Sequence, residues 1–432
     1  MKFERDIPVR YEVDVFVAGG GPAGCAAAVV AARQGRSVFL AEAHSCLGGM
    51  GTAGLVPAFM QFSDGENFCA AGIGEELLNA LRDAGGTGAP EKLSINAEVF
   101  KRVYDDFLLD AGVDFTFHTT LIDVMTDDDR VTHAVCAAKS GIFAVAAKQF
   151  VDGTGDGDLA VWAGAPFEKG DENGDLMPGT HCSLWAYIDW DAVSSKPAPP
   201  KRESIAQAIA DGVFSQEDYH MPGIWRVGEN EGGGNIGHTF GVDNTDERSV
   251  TEALVKGRKL VLEYERYYKE YRSGYENMKL MATGSLLGIR ETRRIIGDYV
   301  LDLDDFKNRA TFDDEIGRYS YPVDIHPMRP GAEEFDRFRD EWETLRYKKG
   351  ENYGIPYRTL TPQGLSNVLV AGRCISADRP MQGSVRVMPG CYITGQAAGM
   401  AAAIAIEQQT DTRGFEVARL RDRLKGFGAF LP

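Results

Sequence analysis

Val13 to Ala18 is a short apolar run broken only by Asp14, the pattern of a strand buried in a parallel sheet. Glycines follow. Pro22 to Gln34, rich in Ala and Val, then reads as a helix, with Pro22 in the first turn where a missing N–H costs nothing. Ser37 to Ala41 is a second apolar run, so the chain opens as a predicted βαβ unit. Ile73 to Ala84 and Ile95 to Ala111 predict helices, and Val113 to Phe117 predicts the next strand. From Leu121 to Val151, short apolar stretches alternate around Asp127–Asp129 and Ser140–Gly141, which predicts a β-meander. Glu247 to Tyr275 predicts a long helix. Along it Tyr264, Tyr267, Tyr268, Tyr271 and Tyr275 recur at helical spacing, as on a buried packing face. Near the end, Asn367 to Ala371 is another apolar run, and Gln396 to Ala405 an Ala-rich predicted helix.

Both ends therefore have strand–loop–helix character. Between them, Pro, Gly and Trp become frequent after about Pro166. The expected layout is an α/β, doubly wound, Rossmann-like nucleotide domain built from 1–165 and 355–432. A sheet-based substrate or cap domain, 166–354, is inserted between them.

Composition narrows the function. The 432 residues carry 46 Lys and Arg against 64 Asp and Glu, a net charge of −18. That disfavours nucleic acid, whose phosphates call for Lys and Arg clusters. No apolar run approaches the roughly 18 residues that span a bilayer, so no membrane role is expected. The start, MKFERDIPVRYEVD, carries acids and lacks the apolar core of a signal peptide. The seven cysteines form no CxxC pair, which suits a reducing compartment. A cytoplasmic protein is expected.

The sharpest chemical signal is Gly19-Gly20-Gly21-Pro22-Ala23-Gly24, between the first strand and helix. Gly19 permits the tight turn, Gly21 lets backbone approach a pyrophosphate, and Gly24 lets the helix pack on the strand. The helix N-terminus offers N–H groups and a favourable dipole to the phosphates. Glu42 ends the second strand eighteen residues beyond Gly24 and can hold ribose hydroxyls. Dinucleotide binding follows. No second strand–GxGxxG–helix unit is present, so no built-in NAD(P)H domain is expected.

Further strings extend the pattern: LGGMGTAGLVPAF from Leu47, DGTGDGDLA from Asp152, GIRETRRIIGDY at 288–299, YPVDIHP at 321–327 and GRCISADRPMQGSVRVMPGCYITGQAAG at 372–399. With these, nearly the whole chain resembles the FAD-dependent oxidoreductases of bacteria that stand near the fumarate reductase flavoproteins. The resemblance implies a glutathione-reductase-type FAD domain. The glycine doublet then runs beside the pyrophosphate and ribityl chain, and DGTGDGD is similar to the strand-end motif beneath the cofactor. The last string resembles the flavin-covering segment, with a helix N-terminus aimed at the isoalloxazine. Expected at FAD are Gly19, Gly21, Pro22, Ala23, Gly24, Glu42, Ala43, Gly48, Gly49, Met50 and Gly51, then Thr154, Gly155 and Asp156, and finally Gly372, Arg373, Arg386, Val387, Gly395 and Gln396.

Three residues are the expected catalytic set. Arg290 is one of three arginines, with Arg293 and Arg294, that a helix would place on one face. His326 and Asp324 would share a face of a strand, and a His beside a carboxylate is a natural proton acceptor. Arg386 precedes the flavin-facing helix. No metal-ligand spacing is visible, and His220 and His238 stand apart. The expected reaction is hydride transfer from a small hydroxylated or amine substrate to flavin N5, with an external electron acceptor and a possible homo-oligomer. Reduction of an activated C=C bond, fumarate reductase-like, is the alternative. An RNA-modifying flavoprotein is a third, which the acidic balance disfavours.

Overall fold

The computed structural model describes residues 4–89, 92–196, 199–220 and 223–432, so the first three residues of the start lie outside the described residues. Strands β1 (Val9–Ala18), β2 (Val38–Ala41), β3 (Asp114–Thr116), β4 (Thr120–Asp127), β5 (Arg130–Ala138) and β6 (Gly141–Asp152) lie in the order β3-β2-β1-β6-β5-β4. The first four in that order are parallel, and the β4–β5–β6 meander is antiparallel, as the alternating pattern predicts. Val368–Val370 adds a parallel seventh strand on the last residues of β6, beyond the part paired with β5. Both ends of the chain thus build one α/β sheet.

The Pro22–Arg33 helix packs on the Met388–Gln408 helix. Small residues set the approach. A Cβ on Gly395 would come 2.2 Å from Ala23 O, and one on Gly399 2.2 Å from Ala27 O. The helix starts at Met388, eight residues before Gln396, because Pro389 fits a first turn and the residues after it stay apolar. Among the described residues no helix is long and apolar enough to cross a membrane.

Hydrophobic packing partitions the chain differently from composition. A second core takes Trp185, Ile188, Ile205, Val261 and Met278, with four of the five tyrosines of the Glu247–Tyr271 helix and its exit, Tyr264, Tyr267, Tyr268 and Tyr275, buried in it. Its sheet runs Lys279–Thr283, Ser183–Ala186, Gly232–Asn235, Gly223–Arg226. By contrast Ile295, Leu301, Phe306, Ile316, Tyr319, Val323 and Tyr353 join the core of the main sheet. The second body is therefore narrower than 166–354: it closes near 283, and the segment from 295 returns to the first. Pro and Gly frequency marks surface, not which core a strand's apolar face is buried in.

The 288–299 segment also departs from the helix that would group its arginines. It is extended, not helical: Arg293–Ile295 pairs with Phe167–Lys169. Its arginines diverge accordingly. Arg293 reaches Asp158 at 3.0 Å, and Arg294 reaches Glu291 at 2.8 Å. Only Arg290 of the three lines the large cavity.

Candidate functional site

A cavity of about 690 Å³ runs between the two bodies. One end is made by the first βαβ unit. Gly19, with φ +86°, turns the chain from β1 into the helix, and Gly21, Pro22 and Ala23 line the wall at the helix N-terminus. Gly24 does not line it. A Cβ there would lie 1.9 Å from Gly19 O, so Gly24 closes the turn on itself. Glu42, at the end of β2, lines the cavity beside Ala43 and His44. Its two oxygens already accept N–H groups, Gly20 N at 2.6 Å and His44 N at 2.8 Å. The carboxylate is thereby held rigid with lone pairs to spare.

Gly49 and Met50 line the middle, as do Thr154, Gly155 and Asp156. Gly48 and Gly51 sit behind. Gly48 N donates to Gly20 O at 2.8 Å, while Gly51 packs on Phe100 and Met388. Gly372 and Arg373 line the opposite wall, where Arg373 is tied to Asp156 at 2.5 Å and to Gly155 O at 2.9 Å. Val387, Met388 and Cys391 put the first turn of the long helix at the wall. Gly395 and Gln396 fall away from it. Gln396 is buried against the start of the Ile73–Asp83 helix, donating to Ala71 O and accepting from Ile73 N. A helix N-terminus does face the cavity, but at Val387 and Met388 and not at Gly395 and Gln396. Burial pushes the Cys391 thiol up to about 12, so it is no thiolate nucleophile.

The other end holds the predicted catalytic set. Arg290, His326 and Arg386 line the same cavity, with Asp324, Tyr321 and His220. The run from Tyr321 to Pro327 forms no regular strand, yet Asp324 Oδ1 and His326 Nε2 meet at 3.3 Å. Arg386 Nη2 donates to Asp324 Oδ2 at 3.0 Å, and its Nε is buried without a partner among the described residues. Arg290 donates to Pro178 O and Thr180 Oγ1, and no carboxylate among the described residues pairs with it. Burial, with Arg386 adding, lowers Arg290 to about 10, still cationic at neutral pH. Burial would raise the Asp324 carboxyl, but His326, Arg386 and Arg290 hold it well below the usual range. Burial and then Arg290 push His326 down to about 4, so it is a neutral imidazole at pH 7.

Sequence separation hid one feature. His220 and His238 do not stand apart: ring nitrogens of His220, His238 and His326 lie within 4.8 Å of one another. Such a trio could ligate a metal. However, the His220 and His238 rings stack at 4.0 Å with 19° between their planes. An imidazole binds metal in its own plane at about 2 Å, and near-parallel stacked planes share no such point. Hydrogen bonding suits them better. His238 Nε2 lies 2.9 Å from His326 Nδ1, and His238 Nδ1 lies 3.1 Å from Asp218 Oδ1. Asp218 and His238 were not legible as site residues, since Asp218 sits in the polar run Ser215–Asp218, His238 lies between Gly237 and Thr239, and no local pattern links the two.

The lining fits a flavin dinucleotide on its own terms: a fixed carboxylate at one end, a glycine turn at a helix N-terminus, and a second helix N-terminus beside an orphaned Arg386 Nε. The model of the FAD dependent oxidoreductase family matches residues 14–424. No curated protein matches the chain. Among solved structures, a geranylgeranyl bacteriochlorophyll reductase-like protein from Thermoplasma acidophilum is 14% identical, with 97% of this chain and 84% of that one covered and a TM-score of 0.49. A flavin-dependent brominase is 13% identical over 96% of this chain and 84% of its own, also with a TM-score of 0.49.

Proposed function

Since this chain belongs to the family of FAD-dependent oxidoreductases, we propose that it oxidises a small hydroxylated or amine substrate in the end of the cavity lined by Arg290, Asp324, His326 and Arg386. Bound FAD supplies the two-electron acceptor. Glu42 would hold the ribose hydroxyls, and the Gly19–Ala23 turn the pyrophosphate.

The observation that carries the proposal is the Asp324–His326 pair in the cavity wall. A neutral imidazole beside an ionised carboxylate takes a proton from a hydroxyl or ammonium group, and the carboxylate stabilises the imidazolium that forms. Asp324 is held in place by Arg386. The unpaired Arg290 cation supports a second reading, reduction of an activated C=C bond in an anionic substrate, because a buried guanidinium without a carboxylate calls for an anion. An external acceptor would reoxidise the enzyme. Seven buried free cysteines agree with a cytoplasmic setting.

Anaerobic mixing of the FAD-loaded protein with pools of alcohols, sugars, amines and enoates tests this. Flavin bleaching by an alcohol, sugar or amine pool supports the proposal. Reoxidation of reduced protein by enoates alone would replace it with the second reading.

A further inference from the structure

Three contacts run in line through the polar end of the cavity. Asp218 Oδ1 lies 3.1 Å from His238 Nδ1, His238 Nε2 lies 2.9 Å from His326 Nδ1, and His326 Nε2 lies 3.3 Å from Asp324 Oδ1. Asp218 and His238 belong to the insert and are buried, at 3% and 1% exposure. His326 and Asp324 line the cavity.

Two neutral imidazoles bring two ring protons to three contacts, so one contact goes without. Asp218 also accepts the backbone N–H of His220 at 2.9 Å and of His238 at 2.6 Å, contacts that favour its ionised form. Burial pushes its carboxyl up to about 6, which leaves it ionised at neutral pH. An ionised carboxylate only accepts, so His238 Nδ1 carries the proton toward it. A neutral His238 then has a bare Nε2. The 2.9 Å contact needs one proton, and only His326 Nδ1 can supply it. A neutral His326 held this way has its lone pair on Nε2. Asp324 is ionised as well, but it already accepts from Arg386, and its contact with His326 Nε2 is the longest of the three at 3.3 Å, so that is the contact left without a proton. The other charged or titratable neighbours do not disturb this count: His220 stacks on His238, Arg290 faces His220 Nε2 at 3.5 Å, and Arg386 takes Asp324 Oδ2.

We propose that Asp218 and His238 are positioning residues that set the tautomer of His326, so that its Nε2 lone pair beside Asp324 is where the substrate's proton lands. The use made of that lone pair rests on the oxidation proposed above; the tautomer does not. In the step, the substrate O–H or N–H bond breaks and an N–H bond forms at His326 Nε2. The resulting imidazolium donates to His238 Nε2 and to Asp324 Oδ1. Bound FAD would take the electron pair of the cleaved C–H bond as hydride. A carboxylate that orients a catalytic imidazole from behind works in the same way in the Ser-His-Asp arrangement, where the Asp→Asn change leaves the geometry intact but imposes the wrong tautomer.

Asp218→Asn makes the test. Its NH2, placed where Oδ1 stands, can donate to His238 Nδ1 at the cost of the His220 N–H contact, which moves the His238 proton to Nε2 and hence the His326 proton to Nε2. All three contacts are then satisfied, and the basic lone pair is gone. Long-range 15N–1H spectra of histidine-labelled, FAD-loaded protein at pH 8 read this without any substrate, with signals assigned from those lost in His238→Gln and His326→Gln. We expect Nδ1–H tautomers for both His238 and His326 in the wild type and Nε2–H tautomers for both in D218N. A wild-type His326 in the Nε2–H form, or D218N spectra unchanged from wild type, would overturn the proposal. So would one equivalent of transition metal bound per chain in the purified protein. If D218N does not accumulate folded, His238→Gln serves: His326 should lose its single fixed tautomer, and a retained Nδ1–H form would overturn the proposal. Once the pool screen returns a substrate, D218N should slow flavin reduction about 10³–10⁴-fold, with KM and FAD content unchanged. A loss of FAD instead would mark the pair as merely structural. A screen that returns no substrate would sink the proposed reaction and leave the tautomer result standing.

Discussion

Arg386 Nη2 donates to Asp324 at two atoms, the carbonyl O at 3.1 Å and Oδ2 at 3.0 Å, and so ties the turn just before the Met388–Gln408 helix to the irregular run that carries His326. That guanidinium fixes the position of the carboxylate next to the proposed base and, after His326, helps hold it ionised. Arg386→Gln should leave Asp324 unanchored. We expect flavin reduction to slow at least about tenfold and stability to fall by about 1–3 kcal/mol, the cost of breaking a charged hydrogen bond at a partly buried site. Stopped-flow absorbance and urea unfolding measure the two effects. Unaltered kinetics would remove Arg386 from the site.

His326→Ala should slow flavin reduction about 10²–10⁴-fold, the usual contribution of general acid–base catalysis. FAD content should stay unchanged, because the hydrogen-bonding contacts of His326 are to His238 and Asp324 and not to the glycine turn or Glu42. Released flavin, quantified after heating, checks the second point independently of the first.

Acid should destabilise the polar end of the cavity in a defined window. Burial depresses His220, His238 and His326 below the ordinary imidazole value, the last to about 4. The unfolded chain then binds protons that the folded one refuses. Stability is full above about pH 6.5 and is lost as pH falls toward 4, by about 1.4 kcal/mol per pH unit for each histidine kept neutral. Asp218, raised to about 6, takes up a proton in the folded state over the same window and offsets one of the three. Urea unfolding at a series of pH values should show this slope, and His326→Gln should flatten it. A slope unchanged in that variant would show that His326 is not held neutral.

Glu42→Ala should weaken FAD binding about ten- to a hundredfold, since charged hydrogen bonds are worth about 1.5–3 kcal/mol. The structure adds a second effect: the substitution also strips the acceptors from Gly20 N and His44 N. We therefore expect the FAD-free protein to lose about 1–3 kcal/mol as well. Flavin fluorescence quenching and thermal unfolding separate the two. Full retention of FAD affinity would mean that Glu42 holds only the backbone.

Local rules made the cofactor half readable. The β1–helix turn, the strand ending at Glu42 and the meander are each specified by neighbours a few residues apart, through periodicity and the steric demands of glycine, as the 1.9 Å clash at Gly24 shows. The long helix was recognisable for the same reason, but its start was misplaced, because an apolar turn with Pro389 reads equally well as a loop.

What the sequence by itself determined is thus the family, its FAD and the glycine turns and single carboxylate that line one half of the cavity, all set by contiguous motifs. What only the tertiary structure decided is the polar end: that Arg290 leaves a cluster of arginines to face a cavity, that the second core closes near residue 283, and that Asp218 and His238 stand behind His326 across 108 and 88 residues of chain. The physical reason is that a buried polar residue must find a hydrogen-bond partner, and nothing in one dimension says which. Folding brings those partners together as a by-product of burying two separate apolar cores.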